Sequence, residues 1–127
     1  LEFNFDSTMP LYQQVATQIE AGILQKSFPA NTQVPSTTDI STAYRLNPAT
    51  VLKGMNLLVQ EGILEKKRGL GMFVTPEASA IILAKRKKQF TQVTLQTFVN
   101  EAWQLDISKK DLQTLIESRY PNESTYH

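Results

Sequence analysis

A mostly α-helical fold carrying one small β-hairpin is the class this sequence predicts, and three local patterns predict it. Ser36 is followed three residues later by Asp39, the spacing at which a hydroxyl and a carboxylate cap the start of a helix. Asn47 precedes Pro48, so an amide side chain can cap a second helix whose first position, held by proline, needs no N–H. Residues 63–68 and 72–75 then flank Gly69-Leu70-Gly71, two strands joined through a glycine-rich tip. Two short helices closed by a hairpin with a cationic tip make a winged helix-turn-helix, and a short helical tail follows.

The first helix is predicted over residues 10–27, where Leu11, Val15, Ile19 and Ile23 recur every four positions as one apolar stripe. Residues 28–31 end it, and Thr32-Gln33-Val34 is expected to form a short strand that pairs with the wing. The helix capped by Ser36 runs to about Arg45. The next runs from Pro48 to Glu61 and stops at Gly62, with Val51, Met55 and Leu58 on its buried face and Val59 at the edge. Gly54 inside it costs about 1 kcal/mol relative to alanine, which points to close packing against another helix.

From Pro76 a long helical stretch carries Ile81, Ile82, Phe90, Val93, Phe98 and Trp103, more apolar surface than an isolated solvated helix should expose. It breaks at Leu105-Asp106-Ile107. Ser108 and Asp111 start a last helix through Leu112, Leu115 and Ile116, which stops at Pro121; the residues beyond should fray. The predicted division is a winged helix-turn-helix over 9–76 and a helical region over 77–120. Two helices in about 45 residues cannot bury a core of their own, so they pack on the winged helix, on a second subunit, or on both.

The chain's 127 residues fit one compact domain with an appendage, and 41% hydrophobic content is ordinary for a globular protein. No run approaches the ~18 apolar residues of a membrane span, and no signal-peptide pattern opens the chain. Cysteine is absent, which excludes disulfides, thiolate metal sites and thiol nucleophiles. A cytoplasmic location is expected. Net charge is only +1, with six basic against seven acidic residues through Glu77 and seven against five after it. Binding to a polyanion needs local rather than global positive charge, and Lys66-Lys67-Arg68 and Lys85-Arg86-Lys87-Lys88 supply it.

Catalytic and metal chemistry find no support. The single histidine, His127, lies in the tail, and the scattered carboxylates lack metal-ligand spacing. No paired-acid or nucleophile–base motif appears, and Gly69-Leu70-Gly71 lacks the lysine and helix of a phosphate loop. The chain is expected to be no enzyme and to need no metal or cofactor. A basic hairpin after a helix-turn-helix points instead to double-stranded DNA. Arg68 is the strongest single candidate, because a guanidinium on a hairpin can enter a narrow minor groove, and Gly69 lets the backbone approach the sugar-phosphate edge. Lys66 and Lys67 alternate across the strand and cannot both point the same way. Lys85 to Lys88 spread around one helical turn and read as a solubilising surface.

Val34-Pro35-Ser36, Asn47-Pro48-Ala49-Thr50-Val51, Glu61-Gly62-Ile63-Leu64 and Arg68-Gly69-Leu70-Gly71-Met72-Phe73-Val74 resemble the winged helix of GntR-family bacterial transcriptional regulators. Pro10-Leu11-Tyr12-Gln13-Gln14-Val15 is similar to that family's first helix, and the resemblance covers about residues 9 to 117. The Asn-Pro start and the short C-terminal part are more like the YtrA-type branch. The resemblance implies a sequence-specific regulator, a repressor in expectation. It would bind a palindromic operator as a homodimer, with the second helix in the major groove and the wing at the minor groove. For the YtrA-type branch it also implies an all-helical dimerisation tail and target genes often linked to ABC transporters.

The family commonly places arginines where this chain has Thr38, Pro48 and Leu52, so its operator does not carry over. Asn47, Thr50 and Lys53 can hold phosphate, aided by the positive end of the helix. Pro48, Ala49 and Leu52 can only pack on thymine methyl groups, which points to an A·T-rich site. Ser36, Thr37 and Thr38 complete the expected DNA-binding set with Arg68 and Gly69. Ile82, Phe90, Phe98, Trp103, Leu112 and Leu115 are the expected dimerisation residues. The tail should be too short to enclose a small-molecule pocket of several hundred cubic ångströms within one subunit, so any effector would sit between subunits. The rival reading is a winged helix used for protein contact and oligomerisation without operator binding.

Overall fold

The apolar stripe that opens the chain folds as α1 (Leu11–Leu24), and Val15, Ile19 and Ile23 on it are buried. This computed structural model describes residues 1–122; His127 and most of the segment expected to fray lie outside them. The helix stops short of residue 27 because the Ser27 and Phe28 amides both turn back to the Gly22 carbonyl and Lys26 enters the left-handed region at φ 64°. Both caps read from the sequence form. Ser36 Oγ accepts from the Asp39 amide at 3.0 Å while Asp39 Oδ2 accepts from the Ser36 amide at 3.3 Å, starting α2 (Thr37–Tyr44). Asn47 Oδ1 accepts from the Ala49 amide at 2.8 Å, starting α3 (Pro48–Gln60) with Pro48 in its first turn. Arg45 makes the turn between them in a left-handed conformation, φ 53°.

Gly62, at φ 79°, releases the chain into β1 (Leu64–Lys67), which pairs antiparallel with β2 (Gly71–Val74) so that Lys67 faces Gly71. The strand expected at residues 32–34 reduces to one bridge, Gln33 with Phe73. Hydrogen bonds from Val34 N–H to Met72 O (3.0 Å) and Val74 N–H to Thr32 O (2.9 Å) flank it. Leu64, Met72 and Val74 turn inward onto the helices.

Gly54 is explained by packing. A β-carbon there would lie 2.5 Å from the Tyr12 carbonyl oxygen and 2.9 Å from Val15 Cβ, so α3 crosses α1 where only a glycine fits. The helix after the hairpin, α4 (Ala78–Gln89), adds Ala78 and Ile82 to the same core. Ile82 corrects an expectation. Assigned from sequence to a dimer surface, it is 0% exposed inside the first unit, because the stripe marks it as apolar without saying which apolar surface it meets.

The chain divides into two compact units, residues 1–85 and the residues from Arg86 onward. Lys85, read from sequence as part of a solvated basic run, fastens the first. Its Nζ lies 2.5 Å from Glu20 Oε2 on α1 and 3.0 Å from Glu61 Oε2 at the end of α3. Burial by itself lowers the Lys85 pKa, but the hydrogen bonds and charges of Glu20 and Glu61 outweigh it and hold the group above 10.5. A folded-state pKa above the unfolded value means that this stability is complete below pH 10.5 and is lost as pH rises through the folded value. Lys85→Gln should cost about 1 kcal/mol, limited because the lysine side chain is 37% exposed. Urea melts should show that difference constant from about pH 6 to 9 and shrinking above 10.5; a difference that grows there would contradict the clamp.

In the second unit the last turn of α4 passes into a π-helical turn (Phe90–Thr94), with Thr91 Oγ1 donating to Lys87 O at 2.9 Å, and then into α5 (Leu95–Gln104). The break expected at 105–107 is present, with Asp106 at φ 58° and the Ile107 amide bonded to Ala102 O. Ser108 Oγ then accepts from the Asp111 amide at 3.1 Å and starts α6 (Lys109–Arg119). Among the described residues no helix is long and apolar enough to cross a membrane.

Candidate nucleic-acid interface

The caps that start α2 and α3 also decide which polar groups remain available. Ser36 Oγ and Asn47 Oδ1 are each occupied by a backbone amide of their own helix, so both residues order a helix start before they can touch anything else. Thr37 Oγ1 donates to Met55 Sδ at 3.5 Å, which ties α2 to the buried face of α3. Thr38, one residue on, is exposed, as are Pro48 and Ala49. Thr50 is half-buried.

Between α2, α3 and the hairpin lies a groove of about 350 Å³. Ser36, Thr37, Thr38, Leu52 and Gly69 of the expected set border it, joined by Lys66, Lys67 and Leu70. Lys66 and Lys67 both border this groove, but their side chains alternate as the strand requires: Lys67 Nζ sits 4.5 Å over the ring of Phe73, on the face opposite buried Met72. Leu52, 39% exposed, also borders a second hollow of about 500 Å³ with Ala49, Lys53, Asn56 and Tyr12. The fold therefore brings most of the predicted residues to two adjoining hollows with the α3 side chain of Leu52 between them. Asn47, Pro48, Thr50 and Arg68 border neither.

Lys53 is not a free-swinging phosphate ligand. Its ammonium lies 4.0 Å from the centroid of the Tyr12 ring on α1, a cation–π contact that holds the charge at one place. The sequence-neighbour Gly54 makes this possible, since it lets α3 approach the Tyr12 backbone. Nothing local marks Tyr12 as part of the site; the glycine beside Lys53 was the available signal, because it implied a close helix crossing. Gln33 was also missed. Its Nε2 donates to Leu70 O at 2.7 Å and fills the space a side chain at Gly71 would need, so it braces the wing tip. At that tip Gly69 adopts φ 78° with nothing within 4 Å of a β-carbon position, and Arg68 beside it is exposed.

Chemically the face offers the cations Lys53, Lys66, Lys67 and Arg68, the hydroxyl of Thr38, and an apolar strip at Ala49 and Leu52. That set suits phosphate contact with apolar reading of base methyl groups.

The second unit carries its own apolar surface. Phe90, Phe98 and Leu115 are exposed, Trp103 is 83% exposed, and Leu112 is half-buried. The expectation that this region is too short to enclose a pocket within one subunit is not overturned: α5 and α6 border an apolar groove of about 550 Å³, lined by Phe98, Ala102, Leu105, Leu112 and Ile116, that lies open to solvent rather than enclosed.

Residues 11–74, from α1 through β2, match the family described as bacterial regulatory proteins, gntR family. The chain is 27% identical to YhcF of Bacillus subtilis (strain 168), an uncharacterized HTH-type transcriptional regulator, over 88% of its own length and 91% of the relative's. It is 28% identical to the HTH-type transcriptional repressor YtrA of the same organism, over 70% of this chain and 72% of that one. Among solved structures it resembles a GntR-family regulator from Bacteroides thetaiotaomicron, with a TM-score of 0.72 and 27% identity over 85% of this chain and 94% of that one.

Proposed function

The chain belongs to the GntR family of bacterial regulatory proteins, and from that premise we propose that it is a repressor binding a palindromic, A·T-rich operator as a homodimer. It is a DNA-binding transcriptional regulator with a winged helix-turn-helix, and its relatives include the YtrA repressor. Members of this family are regulators rather than enzymes. The observation that carries the finer reading is the meeting of Thr38, Leu52 and the wing around one groove. In this reading α3 lies in the major groove, where Pro48, Ala49 and Leu52 meet thymine methyl groups, and Arg68 and Gly69 stand at the minor groove. Exposed Phe90, Phe98, Trp103 and Leu115 support dimerisation through the helical region, with Ile82 removed from that set. Cytoplasmic placement belongs to the same reading, and the α5–α6 groove has no assigned ligand.

Fluorescence-polarisation titrations of duplex DNA at several salt concentrations test this. Lys53→Ala and Arg68→Ala should each weaken binding across sequences and flatten the log-affinity against log-salt slope by about one phosphate contact. Wild-type affinity and slope in both variants would reject the docking, and absent salt-dependent binding by the wild type would favour a protein-contact module instead.

A further inference from the structure

The wing tip combines features that electrostatics leaves unused. Leu70 is 65% exposed, yet both of its backbone polar groups are tied down. Its N–H donates to Lys67 O at 2.9 Å and its carbonyl accepts from Gln33 Nε2 at 2.7 Å. Gly69 and Gly71 on either side have no side chains, so one aliphatic group projects from a narrow backbone braced by Gln33. A minor groove about 6 Å wide leaves room for a tip whose positions on either side of the projecting residue carry no side chain. Leu70 also borders the same groove as Thr38 and Leu52, which puts it on the face assigned to DNA.

We propose that Leu70 is an apolar wedge that enters the minor groove beside Arg68 and partly unstacks one base-pair step in each half-site. This rests on the operator-binding reading above. An aliphatic group driven between base pairs loses its water and makes the duplex lose stacking there. That loss is smallest at pyrimidine–purine steps, so the wing selects TA or CA/TG without any hydrogen bond to a base. The contact displaces no counterion, which separates it from the work of Arg68.

The probe is a duplex selected by the full-length wild-type protein from a random pool, with 2-aminopurine placed in turn at each step under the wing. Wild type should raise fluorescence at one step per half-site. Leu70→Ala should abolish that rise and weaken binding by about tenfold, the order expected when a leucine side chain is no longer buried, while the salt slope stays unchanged. Leu70→Phe should keep the fluorescence rise, and Arg68→Ala should lower the slope instead. Wild-type affinity in Leu70→Ala overturns the wedge and leaves operator binding intact. Weakened binding with no unstacking at any step also overturns it, leaving an ordinary surface contact. If the wild type recovers no duplex from the pool, the operator reading fails and the wedge with it.

Discussion

Protein ending at Lys85 is expected to stay folded, to sediment as a monomer, and to bind a palindrome no better than a single half-site. The first unit is complete at that residue. Ala78 and Ile82 lie in its core, and Lys85 closes the ion cluster with Glu20 and Glu61. A cut after Pro76, where the sequence alone put the domain boundary, would remove all three and should cost at least about 3 kcal/mol of stability. Losing the helical region should cost far more in recognition. Joining two reading heads turns the second binding event into an intramolecular one, worth on the order of 100-fold to 10,000-fold in apparent affinity. Sedimentation together with titrations on one-site and two-site duplexes would measure both effects. A dimer that survives the cut at Lys85, or an undiminished preference for the palindrome, would mean that the exposed apolar residues of α5 and α6 serve another purpose.

Gly54→Ala should destabilise the protein by about 2 kcal/mol, although alanine is the better helix former. Propensity alone would favour the variant by about 1 kcal/mol. Against that stands a β-carbon 2.5 Å from the backbone oxygen of Tyr12, an atom that cannot swing aside as a side-chain end could. Overpacking of a close helix crossing costs about 1–3 kcal/mol or more as the backbones move apart. The same movement would lift Lys53 from the Tyr12 ring, so DNA affinity should fall with stability. Chemical denaturation decides the sign: a variant as stable as wild type would show that α1 and α3 separate without cost.

The local features of this fold were legible because their causes are local. Both helix caps, the turn at Gly62 and the break before Ser108 are contacts between residues five or fewer positions apart, and all are where the spacing puts them. Gly54 was legible as a crossing point, though not its partner. What escaped were contacts between distant segments. Tyr12 beneath Lys53 and Gln33 beneath Leu70 join positions tens of residues apart, and no periodicity records them. Ile82 was recognised as apolar and assigned to the wrong surface for the same reason. Lys85 was placed with its basic neighbours by composition, whereas geometry gives it two carboxylates. The π-helical turn at Phe90–Thr94 left no mark in the pattern, since an extra residue in one turn changes direction without changing composition.

The position of Glu61 gives the near-neutral net charge a different meaning. The 13 residues of α3 rise about 1.5 Å each, so Glu61 lies about 20 Å along the helix axis from the Asn47 end. Ions at physiological strength damp a charge within about 8 Å, whereas in very dilute buffer the reach is about 30 Å. An approaching phosphate near Asn47 therefore responds, under cellular ionic conditions, to charges close by and not to the cluster of Glu20, Glu61 and Lys85, which carries one net negative charge at the far end of the helix. In dilute buffer it responds to both signs together. The encounter rate with DNA should accordingly climb less steeply on dilution than a count of the cations on the face would suggest.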